Sequence, residues 1–323
     1  MRHGEPFIIQ SASQNLRAVV ELERSSRVHF TGRGRAGLSQ ESISLFLRPG
    51  TLDEALEALA HTHGTILSGG TDLFPALTGG QLKGTVIDIS ALAELKGVRS
   101  TQEHFLIGGR TTWAQLLAAP LPRGFDGLRA AAREIGGVQI QNQATVAGNI
   151  CNASPAADGV AALLALDAEL SLASQKGVRT VSLADFIQGN RKTGRQPDEI
   201  LTTVRIARRR ENAASSFLKL GARRYLVISI VMVAANLVVG PDRRIREAFI
   251  VVGSCSPKAV RLLELEMALA GTPIGPSMLQ AVRLEHFSRL SPIDDVRATA
   301  AYRQEVAQTL VLRALDDCAS KAL

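Results

Sequence analysis

The sequence predicts an α+β protein built from more than one domain. Its 323 residues exceed the usual length of a single domain. Short apolar runs typical of strands alternate with amphipathic segments typical of helices. Near the C-terminus, two strong strand candidates, 228–239 and 247–253, flank a Gly-Pro-Asp turn and predict a β-hairpin. The segments that follow this hairpin predict helices.

Individual elements follow from local patterns. A helix is predicted over 52–61, because Thr51 is a candidate N-cap, Glu54 completes a capping box, and apolar residues recur on one face. Gly64 is expected to end it. Further strands are predicted at 65–68, 86–89, 104–107, 169–173 and 199–206. Further helices are predicted from Leu73 and at 111–118, 128–135, 157–166, 260–269, 276–282 and 296–315.

The chain divides into three predicted regions. Residues 1–42 mix Ser, Arg and Gly and predict an accessory extension. The run Arg208-Arg209-Arg210 is the best candidate for a domain boundary, and such a short charged run is usually solvated. We therefore expect a first domain over 43–215 and a second over 216–323.

Composition limits the classes of function. Aromatic residues make up 4% of the chain, which argues against a protein that stacks bases, and no nucleic-acid motif is present. The net charge of +7 suits an anionic ligand. The three cysteines form no C-x-x-C pair, which argues against a zinc ribbon or an iron–sulfur cluster held by this chain alone. Three widely spaced cysteines also predict a reducing, cytoplasmic environment. No apolar stretch is long enough for a membrane span.

Two glycine-containing loops are the most informative features. The first, Ser68-Gly69-Gly70-Thr71-Asp72, follows a predicted strand. Glycines let backbone N–H groups converge on an anion such as a diphosphate, and a following helix would add positive potential. A plain turn between strand and helix would also explain them.

The second loop, 139–149, gathers amides and a hydroxyl without helical or strand spacing, and Ser154 and Asp158 follow it. Helix capping would also explain the last two residues, but that explanation loses force because so many polar side chains gather on one loop. A buried polar loop satisfies itself or a ligand. Neither loop matches a nicotinamide or Walker fingerprint.

Together the loops resemble the flavin-binding subunit of the molybdenum hydroxylases, the family of xanthine and carbon monoxide dehydrogenases. The similar motifs are Ser-Gly-Gly-Thr-Asp-Leu at 68–73 and Gln-Ile-Gln-Asn-Gln-Ala-Thr-Val-Ala-Gly-Asn at 139–149, continuing to Ala-Ser-Pro-Ala-Ala-Asp at 153–158. The segments 217–224 and 292–303 are similar to the family's second domain. The resemblance implies a two-subdomain FAD-binding domain of the vanillyl-alcohol oxidase (PCMH) type, followed by a smaller α+β domain with a three-stranded antiparallel sheet.

The resemblance also implies which residues contact FAD. The loops would hold its diphosphate, Ile200 and Leu201 would pack on the isoalloxazine ring, and Lys219 would lie beside that ring and stabilise its reduced form. The positions assigned to cofactor binding are Ile66, Leu67, Ser68, Gly69, Gly70, Thr71, Asp72, Leu73, Ile135, Thr145, Gly148, Asn149, Cys151, Ser154, Asp158, Ile200, Leu201 and Lys219. No catalytic side chain and no metal ligand is implied.

Two residues depart from the family pattern. Ala147 stands where a glycine is usual, and a positive φ there would strain the loop. Gln141 stands where arginine is common, which removes one charged contact.

The implied activity is electron transfer within a complex. A molybdopterin-binding large subunit would oxidise the substrate, a [2Fe-2S] subunit would pass the electrons to FAD, and NAD or another acceptor would take them. Two alternatives stay open, a self-sufficient FAD oxidase or dehydrogenase and an assembly module without flavin. The low aromatic content argues against the first alternative.

Overall fold

The computed structural model describes residues 45–77, 84–224 and 226–322. The extension predicted over residues 1–42 lies outside this part of the chain. The strands are β1 (Phe46–Leu47), β2 (Thr65–Leu67), β3 (Val86–Asp88), β4 (Val98–Ser100), β5 (His104–Gly108), β6 (Glu169–Ser174), β7 (Gly177–Ser182), β8 (Ile187–Gly189), β9 (Lys192–Thr193), β10 (Ile200–Ala207), β11 (Ala214–Leu220), β12 (Val231–Val239), β13 (Ile245–Gly253) and β14 (Val260–Arg261). The helices are α1 (Leu52–Thr62), α2 (Trp113–Ala118), α3 (Asp126–Glu134), α4 (Val138–Gln143), α5 (Val146–Asn152), α6 (Asp158–Ala165), α7 (Leu183–Phe186), α8 (Leu263–Leu269), α9 (Pro276–Gln280) and α10 (Ala300–Lys321).

A small parallel sheet of order β1-β3-β2 opens the described chain. Helix α1 connects β1 with β2 and packs its buried face on Ile87. The Thr51 hydroxyl accepts a hydrogen bond from the Glu54 amide at 3.3 Å, as expected of an N-cap. The predicted capping box is only half formed, because the Glu54 carboxylate accepts from the Gly50 amide at 2.8 Å instead. The helix ends at His63, which takes the left-handed conformation expected of Gly64, with φ +47°. The sheet directs the segment after β2 toward the candidate site.

The second sheet is antiparallel, with strand order β4-β5-β10-β6-β7. Its central strand, β10, pairs with both β5 and β6, and the register shifts between Leu201 and Thr203. The strands predicted between residues 65 and 206 are all present, with ends shifted by one residue. Apolar helices α2, α3 and α6 share one core with this sheet.

The third sheet has four antiparallel strands in the order β11-β12-β13-β14, so the expectation of three strands was wrong. The fourth strand is short and uses Val260 and Arg261, which pair with Val252 and Val251. These two residues were predicted to begin a helix. They are extended instead because they pair with the open edge of β13, and α8 begins only at Leu263.

Both faces of the third sheet are buried. Along β12, Met232 and Ala234 join the core formed with α3 and α6, whereas Val231, Val233 and Ala235 join a second core with α10. This explains the nearly continuous apolar sequence of the strand. Helix α10 begins at Ala300 rather than near residue 296, because the Thr299 hydroxyl caps it by accepting from the Tyr302 amide.

Arg210 ties the third sheet to the rest of the chain, which corrects the expectation of a solvated charged run. Its side chain is 0% exposed and lies 3.0 Å from Glu247 and 3.4 Å from Asp167. Its guanidinium also stacks on Phe249, 3.7 Å from the ring centroid. The side chain of its neighbour Arg209 is 62% exposed, as expected for a solvated charged residue.

Candidate functional site

A cavity with a volume of about 870 Å³ lies among the described residues. Every position assigned to the cofactor in the sequence analysis lines it, from Ile66 in β2 to Lys219 in β11. The walls come from the parallel sheet, the antiparallel sheet, helices α4 to α6 and the first strand of the third sheet. Residues distant in sequence therefore form one continuous site.

The first glycine loop follows β2 directly. Gly70 has φ +71°, a conformation that suits glycine. Within the described residues 73–77, the helix expected from Leu73 is not formed. The Phe74 amide donates to the Gly70 carbonyl at 3.2 Å, and a short 3₁₀ segment follows at Pro75–Leu77. Residues 73–77 therefore do not supply the expected helix dipole at this loop.

The second loop is not a single irregular loop but two short helices, α4 and α5. Thr145 separates them and caps α5 by accepting a hydrogen bond from the Gly148 amide at 3.1 Å. Ala147 lies inside α5 and does not have a positive φ, so the strain that was considered for this residue does not arise. Gln141 does not line the cavity, and its side-chain amide donates to the Arg133 carbonyl at 3.2 Å.

The two loops are in direct contact. A β-carbon on Gly69 would lie 2.1 Å from the Gln143 carbonyl oxygen, so only glycine fits there. The Ser68 hydroxyl donates to that of Thr145 at 3.3 Å. The Asn152 amide donates to the Asp72 carboxylate at 2.9 Å. Both loops thus form one surface.

Several polar groups of this surface have no partner in the protein. Among the described residues, the backbone N–H groups of Gly69, Gly70 and Thr71 have no hydrogen-bond acceptor. The side-chain oxygen of Asn149 is buried and also unpartnered. Buried polar groups are normally satisfied, so the Asn149 oxygen fits a ligand that donates a hydrogen bond. The three N–H groups, which belong to half-buried residues, fit an acceptor such as a phosphate.

Apolar residues form another part of the wall. Ile200 and Leu201, at the start of β10, are 1% and 4% exposed, and Ile135 follows the end of α3. Gly109 allows its backbone to lie close to that of β10, because a β-carbon at residue 109 would lie 2.3 Å from the Leu201 carbonyl oxygen. A cavity with one polar surface and one apolar wall suits a ligand that has both a charged and a planar apolar part.

Lys219 and Asp158 form a buried ion pair in the cavity wall. The Lys219 Nζ lies 2.6 Å from Oδ2 of Asp158, and the side chains are 7% and 6% exposed. The Ser229 hydroxyl donates to Oδ1 of the same carboxylate at 2.6 Å. Burial raises the pKa of Asp158, and the Lys219 ammonium opposes this rise. Asp158 is thus the first residue of α6, but its side chain forms the ion pair in the cavity wall and does not cap the helix. The Ser154 hydroxyl instead accepts a hydrogen bond from the Ala156 amide.

Cys151 lines the cavity as a neutral thiol. Burial raises its pKa to about 11, although the Arg195 guanidinium opposes the rise. At neutral pH this side chain is therefore neither a nucleophile nor a ready metal ligand.

Sequence reasoning missed several lining residues. Arg191 lies in the turn between β8 and β9, and Arg195 follows β9. Arg191 donates a hydrogen bond to the Asn152 side chain. Their basic loop is visible in the sequence, but nothing there shows that it turns toward α5. Trp113, Val227 and Ile228 also line the cavity and have no recognisable sequence signal.

Comparison with known proteins agrees with this architecture. Residues 40–208 match the model of the FAD binding domain in molybdopterin dehydrogenase, and residues 216–318 match the CO dehydrogenase flavoprotein C-terminal domain. The putative xanthine dehydrogenase FAD-binding subunit of Escherichia coli strain K12 is 32% identical over 85% of this chain and 96% of its own length. The nicotinate dehydrogenase FAD-subunit of Eubacterium barkeri is 37% identical over 58% of this chain and 66% of its own length.

A solved structure shows the same fold. The reconstituted CO dehydrogenase from Oligotropha carboxidovorans contains a chain with a TM-score of 0.80 and 25% identity, and the match covers 86% of this chain and 98% of that one. Fold and site thus define a flavoprotein oxidoreductase subunit. The chain belongs to the family of FAD-binding subunits of the molybdopterin-dependent dehydrogenases, and FAD is its cofactor. No helix in the described part of the chain has the length and apolar character needed to cross a membrane.

Proposed function

We propose that the cavity is the FAD site and that the chain passes electrons from a [2Fe-2S] subunit to an acceptor within a molybdenum hydroxylase complex. The observation that carries this proposal is the convergence of all assigned cofactor positions on one cavity of about 870 Å³. This volume lies near the upper end of the usual range for ligand pockets, as a dinucleotide requires. The fold would be of the PCMH type, with domains near 43–215 and 216–323.

The glycine surface would hold the diphosphate. The N–H groups of Gly69, Gly70 and Thr71, which have no acceptor among the described residues, would donate to its oxygens. Arg191 at the cavity wall adds a positive charge. Main-chain donors bind phosphate without the entropy cost of ordering long side chains.

The apolar wall of Ile200 and Leu201 would receive the isoalloxazine ring and exclude water from one side of it. Bound FAD supplies the two-electron redox chemistry of the site. Lys219 would hold a positive charge beside the ring, where negative charge accumulates on reduction. The Asp158 carboxylate fixes the position of that ammonium.

The substrate would bind on another polypeptide. The relatives are named for xanthine and for nicotinate and yet share this subunit, which supports a division of labour between chains. We infer a molybdopterin-binding large subunit and a [2Fe-2S] subunit as partners, a cytoplasmic complex, and NAD as the first acceptor to test.

The first test concerns the cofactor. The purified protein should be yellow with close to one FAD per chain, and protein stripped of flavin should bind FAD again in a calorimetric titration. Stripped protein that is folded by circular dichroism yet releases no heat with FAD would overturn the proposal.

The second test separates the complex from the alternative, a self-sufficient FAD oxidase or dehydrogenase. Protein isolated from its native cells should copurify with molybdenum and iron, measured by mass spectrometry of the metals. Anaerobic NADH should bleach the visible flavin band if NAD is the physiological acceptor. Substrate oxidation by the isolated chain without partners would favour the alternative.

A further inference from the structure

A cluster of one carboxylate and two guanidinium groups lies behind the cavity wall. Asp295 and Arg297 belong to the segment between α9 and α10, and Arg303 belongs to the first turn of α10. Asp295 accepts hydrogen bonds from Nε and Nη2 of Arg297 at 3.1 and 2.6 Å. Its other oxygen accepts from Nη2 of Arg303 at 2.6 Å. One carboxylate therefore fixes two arginines.

Both arginines also donate hydrogen bonds to backbone carbonyls next to the cavity. Nη1 of Arg297 donates to the Ser229 carbonyl at 3.0 Å. Nη1 of Arg303 donates to the carbonyls of Ile230 at 2.6 Å and Ser254 at 3.1 Å. The cluster thus holds residues 229–230 and residue 254 by their main chain.

The held residues reach the cavity wall directly. The Ser229 hydroxyl donates to Asp158 at 2.6 Å, and the Ser254 amide donates to the Pro155 carbonyl at 3.0 Å. Asp158 in turn binds the Lys219 ammonium. A continuous series of charge-assisted contacts thus runs from Asp295 through Arg297, Ser229 and Asp158 to Lys219.

The part of this series next to the cavity is buried, and the part near Asp295 is partly exposed. Ser229 is 0% exposed, whereas the side chains of Asp295 and Arg297 are 22% and 31% exposed. The Arg303 side chain, which binds the same carboxylate, is 1% exposed. The hydrogen bonds from Arg297 hold the pKa of Asp295 well below its usual range, so the carboxylate stays charged at neutral pH. A buried arginine that loses its carboxylate rearranges, because an unpaired buried charge is costly.

We propose that Asp295 is a positioning residue, which acts through Arg297 and Ser229 to fix the Asp158–Lys219 pair and so tunes the reduction potential of the flavin. The proposal rests on the proposed function, because it needs FAD beside Lys219. Without Asp295, Ser229 loses its fixed position, and the Lys219 ammonium is held less firmly where negative charge accumulates.

The test measures the flavin potential in the holoenzyme by spectroelectrochemical titration. Asp295→Asn should lower the affinity for reduced relative to oxidised FAD by about tenfold, which for a two-electron couple makes the potential about 30 mV more negative. Glu266→Gln is the matched control. Glu266 forms a similar buried cluster with Arg261 in the same domain but is not linked to Asp158. This control should lose stability and keep the wild-type potential.

A double-variant cycle distinguishes positioning from a general loss of structure. In a Lys219→Met background, Asp295→Asn should shift the potential no further, because the group it positions is gone. An equal, additive shift in both backgrounds would overturn the proposal, as would an Asp295→Asn enzyme with the wild-type potential. If Asp295→Asn does not fold, Arg297→Gln, which keeps the Asp295–Arg303 pair, carries the same expectation. A wild-type protein without flavin would instead refute the proposed function.

Discussion

Gly69 and Gln143 come so close that an added β-carbon on the glycine would lie 2.1 Å from the glutamine carbonyl oxygen. Such a separation is far below van der Waals contact, and the obstructing atom belongs to the backbone. The two polar loops can form one surface only while residue 69 has no side chain.

Gly69→Ala should therefore weaken FAD binding by at least about tenfold, or about 1.4 kcal/mol, because the loops must separate. Calorimetric titration of stripped protein measures this. Gly189→Ala is the control, since a β-carbon there meets nothing within 4 Å. Wild-type affinity in Gly69→Ala would contradict the close contact.

Arg210→Ala should destabilise the protein by about 2–4 kcal/mol, because the buried guanidinium pairs with Asp167 and Glu247 and stacks on Phe249. Chemical denaturation monitored by circular dichroism measures the change. Arg209→Ala, at the exposed neighbouring position, should stay within about 0.5 kcal/mol of the wild type. An equal loss of stability in the two variants would show that the burial of Arg210 does not contribute to the free energy of unfolding.

Glu199→Gln should cost about 1–2 kcal/mol of stability at pH 7, a figure reduced for the partial exposure of Arg179. Arg179 binds Glu199 at 2.5 and 2.8 Å, and these hydrogen bonds lower the pKa of the carboxyl. Since the folded pKa is depressed, the stabilisation is present above the unfolded value of about 4.3 and is lost as the pH falls further.

The stability difference between wild type and Glu199→Gln should therefore shrink below about pH 4 in denaturation curves measured across pH. Glu169→Gln provides the comparison, because that half-exposed carboxylate lies 3.9 Å from Arg205. This variant should stay within about 0.5 kcal/mol of the wild type at every pH. A Glu199→Gln difference independent of pH would show that charge plays no part.

The cysteines should resist alkylation in the native protein. Burial raises the pKa of Cys151 and Cys255 to about 11 and that of Cys318 to about 12. Since only the thiolate reacts, iodoacetamide at pH 8 should modify them at least about 100-fold more slowly than free cysteine. Mass spectrometry follows the reaction, and denatured protein should react at all three sites. Rapid modification of native Cys151 would contradict its neutral state.

Much of the fold was predictable because it is encoded locally. Helix α1 has its cap and apolar face within one segment, and the five strands predicted between residues 65 and 206 are short runs rich in apolar residues. Strands β4, β7, β8 and β9 lie in the same part of the chain and were not predicted. The fourth strand of the last sheet was not predictable, because Val260 and Arg261 are extended only through their pairing with β13. The helix expected from Leu73 was not formed by residues 73–77, which give turns and a short 3₁₀ segment instead.

The residues of the candidate site also fall into two groups, those that sequence motifs predicted and those that only tertiary packing brings to the cavity. The positions carried by motifs, such as Gly69 and Asn149, converge on the cavity. Arg191 and Ile228 escaped prediction, because only tertiary packing brings their segments to the wall. The buried state of Lys219 and Arg210 was equally hidden, since each depends on carboxylates distant in sequence.

The pairing of Asp158 with Lys219 and Ser229 crosses between the two family domains. Hybrid proteins that join the first domain of one relative to the second domain of another should therefore retain flavin only when these three side chains remain compatible. Recombination that exchanges a single domain is accordingly expected to be tolerated far less often than exchange of the entire subunit.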